Sequence, residues 1–246
     1  MDTGRGFSWL HRCVAFRSSA NRFASLVFIA GSFNIQTNPS SYICWMPQRK
    51  AVFLDKDGTL IPDVPYNVNP DLISLEEGVI EGLKLLQKAG YIFIVISNQA
   101  GVARGYFQIS ELKKVKQKID LLLNQEGIKI EKYYFCPHHT EGKIPEYTKA
   151  CECRKPRPGM ILQASKDLEI ATEQSWMIGD ILNDVEAGNR AGCQTIILNN
   201  GNETEWVVGT FRTPTHVATN FLSAAQFILN NPIENQLLND KELAAL

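Results

Sequence analysis

The chain has 246 residues, a formal net charge of −1 and a charged fraction of 21%, a balance with no basic footprint for nucleic acid. At 44% hydrophobic it can build a core, which excludes a wholly disordered chain. No apolar run reaches the ~18 residues of a membrane span, and six cysteines in a chain this long do not make a disulfide scaffold.

Residues 1–45 differ in composition from the rest of the chain. They hold four arginines, one acid (Asp2) and no lysine, with a short apolar piece over 23–33 of the length of a signal-peptide core. The segment reads as a non-structural extension ahead of Met46 or as a targeting leader, and Cys13 and Cys44 within it have no assigned role. From Lys50 onward strand and helix patterns alternate. The apolar run 51–55 reads as a buried strand. Residues 75–89 carry Val79, Ile80, Leu83, Leu85 and Leu86 at helical spacing, with Gly90 as the stop. A second strand covers 91–96, and a helix covers 110–125 with Ser110 as its cap. A third strand covers 133–136, and an irregular segment runs from there to Pro158. A helix over 158–168 begins with proline in its first position. A strand over 176–179, a helix over 183–191, a strand over 195–198 and a last helix over 220–229 complete the series. Such alternation predicts an α/β fold, a Rossmann-like, doubly wound, mostly parallel sheet with helices on both faces. The main domain is bounded at 46–231, and the tail 232–246 reads as poorly ordered.

Four chemical signals stand at strand ends, where open α/β sheets bind their ligands. The first is Asp55-Lys56-Asp57-Gly58-Thr59. Two acids this close repel unless a cation or a shared proton intervenes, which points to a Mg²⁺ site for phosphate chemistry. Lys56, between them, is expected to turn away and be solvated or structural. The second signal is Ser97-Asn98-Gln99, whose hydroxyl and backbone N–H groups can hold phosphate oxygens. The third is Arg154-Lys155-Pro156, and the fourth is Gly179-Asp180 followed by Asp184. Each alone is commonly a cap or a turn; in this order they are far more specific.

Cys136-x-His138 and Cys151-x-Cys153 form two ligand pairs. Three thiolates and one imidazole suit a closed, tetrahedral Zn²⁺ site that locks a loop with little core of its own. A disulfide arrangement would need an oxidising compartment and leave an odd cysteine. His139 is expected as a neighbour of the centre or in solvent, with substitute ligand as the lesser reading. Cys193 is expected as a small buried hydrophobe.

Taken together, these motifs resemble the haloacid dehalogenase superfamily over roughly residues 50–205. The resemblance implies Asp55 as nucleophile, Asp57 as general acid and base, Ser97 as phosphoryl ligand, Lys155 as charge neutraliser, and Asp180 completing a Mg²⁺ site with Asp55 and Asp57; Asp184 would assist Asp180. The cysteine loop leading into Arg154-Lys155-Pro156 is similar to the zinc-loop branch, which includes heptose bisphosphate phosphatases and histidinol-phosphatases. The runs over 153–160 and 97–105 look like the heptose enzymes, whereas Ile181 stands where those often carry lysine. Neither the interval from Asp55 to Ser97 nor that from Ser97 to Lys155 has room for a folded cap. The expected protein is therefore a capless, open, cytoplasmic, monomeric phosphomonoesterase for a small phosphorylated sugar, with no nucleic-acid or membrane partner. Asn98, Gln99, Arg104 and Arg154 are its expected substrate contacts. The alternatives are a phosphatase of histidinol phosphate or another small ester and, from a different class, an inactive zinc-stabilised binding module.

Overall fold

In the computed structural model, residues 49–207 and 209–233 are described. Six strands form one parallel sheet in the order β3-β2-β1-β4-β5-β6. They are β1 (Ala51–Leu54), β2 (Ile92–Asn98), β3 (Ile130–Cys136), β4 (Trp176–Gly179), β5 (Gln194–Leu198) and β6 (His216–Ala218). The helices are α1 (Val79–Lys88), α2 (Ala100–Arg104), α3 (Leu112–Asn124), α4 (Gly159–Leu168), α5 (Leu182–Ala191) and α6 (Phe221–Asn230).

Strand alternation sorts the core into two layers. Val52 and Leu54 of β1, Val95 of β2 and Trp176 and Ile178 of β4 join Leu83 and Leu86 of α1, Val115 and Ile119 of α3 and Phe221 of α6 on one face. Ala51, Phe53, Ile94, Ile96 and Met177 point the other way, against Met160, Ile161 and Ala164 of α4 and Ala187 of α5. The central strands are buried on both faces, which is why they read as continuous apolar runs. Full burial of one such Leu or Phe contributes about 1.5–3 kcal/mol.

Strand order reverses between β1 and β4. The chain leaves β1 towards β2 and leaves β4 towards β5, opening a crevice where the two strands end. The intervals from Asp55 to Ser97 and from Ser97 to Lys155 contain α1, α2, α3, β3 and two 3₁₀ turns but no folded cap. Among the described residues no helix is long and apolar enough to cross a membrane.

Several boundaries differ from the sequence reading. The helix expected at 110 starts with a 3₁₀ turn, and its cap is Gln108, whose N–H donates to Glu111 Oε2 at 2.8 Å, not Ser110. Pro158 precedes α4 as the cap, one place before the expected position. Asn220 caps α6, accepting from Ser223 N at 2.8 Å, rather than lying inside it. The short strand β6 and the five-residue helix α2 have no counterpart among the elements expected from sequence. The expected leader and the tail from residue 234 lie outside the described residues.

Candidate active site

The backbone at Asp55 is still held to β4, with Asp55 N donating to Ile178 O at 3.0 Å. The chain then turns through Gly58, at φ +78°. A Cβ there would overlap the Asp180 carboxylate and the Asn202 amide, so only glycine lets this turn pass so close to the acid. Thus Asp55, from the end of β1, and Asp180, from the end of β4, face the same crevice.

Carboxylate oxygens of Asp55, Asp180 and Asp184 all lie within 4.8 Å of one another, and the three residues are buried. Lys155 Nζ, itself buried, sits 2.5 Å from Asp55 Oδ1 and 2.5 Å from Asp184 Oδ1, and donates to Ile96 O at 2.9 Å. One ammonium cannot balance three carboxylates. Burial, followed by the charges of Asp55 and Asp184, pushes Asp180 up to about 8. Burial also lifts Asp184, to about 6, although Lys155 opposes the rise. Burial works against the charge of Lys155 as well, yet Asp184 and Asp55 outweigh it and hold the ammonium above its ordinary value. A cluster of hard oxygen donors with excess negative charge has the chemistry of a divalent-cation site.

Asp57 is placed differently. Lys56 Nζ pairs with Asp57 Oδ1, and Gln99 Nε2 donates to Asp57 Oδ2 at 3.1 Å. The same amide donates to Ser97 Oγ at 2.8 Å, so Gln99 ties the second acid to the hydroxyl at the end of β2. Burial raises the Asp57 pKa, with Lys56 pulling the other way. Its carboxylate stands outside the group formed by Asp55, Asp180 and Asp184. The solvated alternative for Lys56 is corrected: the side chain is 1% exposed. The strand ends before it, and its carbonyl accepts from Leu60 N and Ile61 N at 3.1 Å each, so alternation no longer sets its direction.

A cavity of about 330 Å³ opens over these groups, lined among others by Asp55, Asp57, Ser97, Asn98, Gln99, Lys155 and Asp180. Asn98 does more than line it. Its Nδ2 donates to Lys155 O and its Oδ1 accepts from Lys155 N, both at 3.0 Å, so it clamps the backbone that carries the buried cation. Arg104 and Arg154 are not among the lining residues. Arg104 donates to Tyr66 Oη at 3.0 Å and approaches His139 Nε2 at 3.4 Å. Arg154 borders a separate hollow of about 240 Å³ with Lys149, Arg157 and His139. Sequence reasoning missed Asn200 and Asn202. Asn202 Nδ2 donates to Asp180 Oδ2 and Asn200 Nδ2 to Gly58 O, both at 2.8 Å. Their signal was available: Asn199-Asn200-Gly201-Asn202 directly follows β5.

The four residues Cys136, His138, Cys151 and Cys153 converge. Five of the separations among their Sγ and Nδ1 atoms run from 3.2 to 3.7 Å. A tetrahedron with metal–ligand bonds of ~2.0–2.3 Å has edges of roughly 3.3–3.8 Å, so this donor set fits zinc. The cysteines are free, not disulfide-bonded. His139 faces away: its Nδ1 accepts from Glu141 N at 3.0 Å and its Nε2 meets Arg104. Cys193 is buried, as expected. The loop is anchored to α2 through Ala103 O, which accepts from Lys143 N at 2.7 Å and Ile144 N at 3.0 Å.

A HAD-hydrolase-like family model matches residues 152–224. The chain is 43% identical over 150 residues to the D-glycero-β-D-manno-heptose-1,7-bisphosphate 7-phosphatase of Pasteurella multocida, covering 61% of this chain and 81% of that protein. The chain belongs to the haloacid dehalogenase family of phosphatases. The like-named Escherichia coli K12 protein is 37% identical over 148 residues, covering 60% of this phosphatase and 78% of its own length. The crystal structure of D,D-heptose 1,7-bisphosphate phosphatase from B. bronchiseptica, complexed with magnesium and phosphate, superposes with a TM-score of 0.64 at 27% identity. It covers 74% of this chain and 99% of that one. This phosphatase is accordingly a phosphoric monoester hydrolase, in a family where magnesium dependence is general.

Proposed function

We propose that this phosphatase removes the 7-phosphate of D-glycero-D-manno-heptose 1,7-bisphosphate, the reaction named for the relatives it resembles. The observation that carries the reading is the buried Lys155–Asp55 pair at the floor of an open cavity, with Asp57 and Ser97 beside it. An oxygen of Asp55 attacks phosphorus, the bond from phosphorus to the sugar oxygen breaks, and an aspartyl-phosphate forms. Asp57, whose raised pKa suits it to carry a proton, protonates the departing alkoxide. Asp57 then takes a proton from water as that water attacks phosphorus, which releases phosphate and restores Asp55. Lys155 offsets charge on the phosphoryl group, and Ser97 with the Asn98 and Gln99 region binds its oxygens. Without such help, two unit charges ~4 Å apart repel by about 4 kcal/mol at an effective dielectric of ~20.

Asp55 and Asp180 would hold Mg²⁺, with Asp184 beside them; Asp57 entered the expected set, but its carboxylate is engaged by Lys56 and Gln99, which favours the proton-transfer role. When bound, the ion supplies positive charge against the phosphate dianion. Cys136, His138, Cys151 and Cys153 would hold Zn²⁺, a ligand set suited to a reducing, cytoplasmic setting. The reading assigns the chemistry to residues 46–231 of a monomer, so deletion of residues 1–45 is expected to leave turnover unchanged.

The test is phosphate release by the full chain with Mg²⁺ from heptose 1,7-bisphosphate, histidinol phosphate and fructose 1,6-bisphosphate. The heptose ester should exceed the others at least about tenfold in kcat/KM, and Asp55→Asn should abolish turnover. A better rate on histidinol phosphate would replace the substrate assignment. Equal inertness of wild type and Asp55→Asn towards every ester would leave the binding-module alternative.

A further inference from the structure

The loop over residues 62–69 lines the cavity through Asp63, Pro65, Tyr66 and Asn67, and Tyr66 has φ +57°. Tyrosine rarely adopts this left-handed conformation, and an observed outlier at a ligand cavity is a reason to ask what it does there. Tyr66 lines the same cavity as Asp55 and Lys155, yet it remains 45% exposed. A large aromatic ring held open to solvent by strained backbone adds little to the core.

Its surroundings hold it from outside its own loop. Tyr106 packs edge-on against it, with ring centroids 4.7 Å apart and planes at 72°. Arg104 lies with its guanidinium carbon 6.0 Å from the ring centroid and donates from Nη1 to the phenolic oxygen at 3.0 Å. Its other terminal nitrogen reaches His139 of the zinc loop at 3.4 Å, and its Nε is buried without a partner. Pro65, immediately before Tyr66, stiffens the approach. The ring is therefore braced by α2 and the zinc loop at a fixed place over the cavity.

Resting on the substrate reading above, we propose that Tyr66, braced by Arg104 and Tyr106, determines specificity for the non-reacting part of a sugar phosphate. Its exposed face packs on the C–H side of the carbohydrate chain, and its hydroxyl, shared with Arg104, meets a sugar hydroxyl. An ester without a carbohydrate chain makes no use of this wall, and the chemistry at Asp55 is independent of it. Because the brace passes through His139, the zinc loop also contributes to the placement of the ring.

The experiment compares wild type, Tyr66→Ala, Tyr66→Phe and Tyr66→Gly on heptose 1,7-bisphosphate and on acetyl phosphate, which has no sugar. Tyr66→Ala and Tyr66→Gly should raise KM for the sugar ester at least about tenfold, with kcat within about threefold, while kcat/KM for acetyl phosphate stays within about twofold. Tyr66→Phe should lose only about threefold on the sugar ester. Glycine suits a positive φ, so Tyr66→Gly should melt no lower than Tyr66→Ala even as its KM rises. A merely structural tyrosine would lower melting temperature and both activities together. Equal losses on the two esters, or no change in their ratio, would overturn the proposal. If wild type prefers another sugar phosphate, the substrate reading fails on wild type alone, and the same ratio measured with that ester still decides the role of Tyr66.

Discussion

Replacing Lys155 by methionine removes the ammonium paired with both Asp55 and Asp184 while keeping a similar volume. At 2.5 Å and an effective dielectric of ~20, each pair represents roughly 7 kcal/mol of raw Coulomb attraction. Desolvation of the buried ammonium cancels most of this, and breaking a buried pair typically destabilises by about 3–5 kcal/mol, since the remaining charge is stranded. For a domain of this size that corresponds to a fall in Tm on the order of 10 °C. The signature of the electrostatic cause lies in the rescue. In Lys155→Met the carboxylates have lost their internal cation, so added Mg²⁺ should raise its Tm more than that of wild type. Removing a stranded acid should help too, so Lys155→Met with Asp184→Asn should melt above Lys155→Met alone. Turnover should remain at least about a thousandfold down in both variants. Differential scanning fluorimetry of the three proteins with and without Mg²⁺ is sufficient. A Tm within about 2 °C of wild type, or a double variant that melts below the single one, would refute the charge-balance account.

Removal of Mg²⁺ with EDTA should abolish phosphate release and its return should restore it; turnover that persists in metal-free buffer would contradict an ion at Asp55 and Asp180. Cys151→Ser should lower the zinc content below about one per chain by elemental analysis and lower activity, because the loop that delivers Lys155 loses its anchor; unchanged zinc and unchanged Tm would remove that account. Gly58→Ala should cost about 2 kcal/mol or more in chemical denaturation and weaken Mg²⁺ binding, since the new methyl meets the Asp180 carboxylate at a positive φ; wild-type values for both would show that the turn has room to spare.

How much could be read in advance depends on how each group announces itself. The strands around Asp55 and Asp180 are buried on both faces, so they appear as apolar runs, and a polar residue directly after them stands out. The cluster of Cys136, His138, Cys151 and Cys153 is legible because two close Cys/His pairs are rare without a metal. The short strand β6 has only His216–Ala218, with Val217 exposed, so it offers neither a run nor an alternation long enough to detect. Helix α2 spans five residues around Gly101, below the length at which periodicity shows. For Lys56 the sequence leaves a solvated and a structural reading open, and only the structural one survives: the strand that alternation presupposes has already ended, and the side chain is buried. The pairing of Arg104 with Tyr66 and of Asn98 with the Lys155 backbone joins residues distant in sequence, and no local pattern reports such pairings.

The floor of the cavity is assembled from segments far apart along the polypeptide: the aspartate precedes its ammonium partner by 100 positions, and Asp184 comes later still. On the ribosome, Asp55 is therefore translated long before the groups that surround it in the folded chain. A chain stopped at residue 150 would contain the whole first motif and hydrolyse nothing, which a phosphate-release assay on that fragment would check. The cluster exists only in the completed tertiary structure, because its members meet across more than half of the polypeptide.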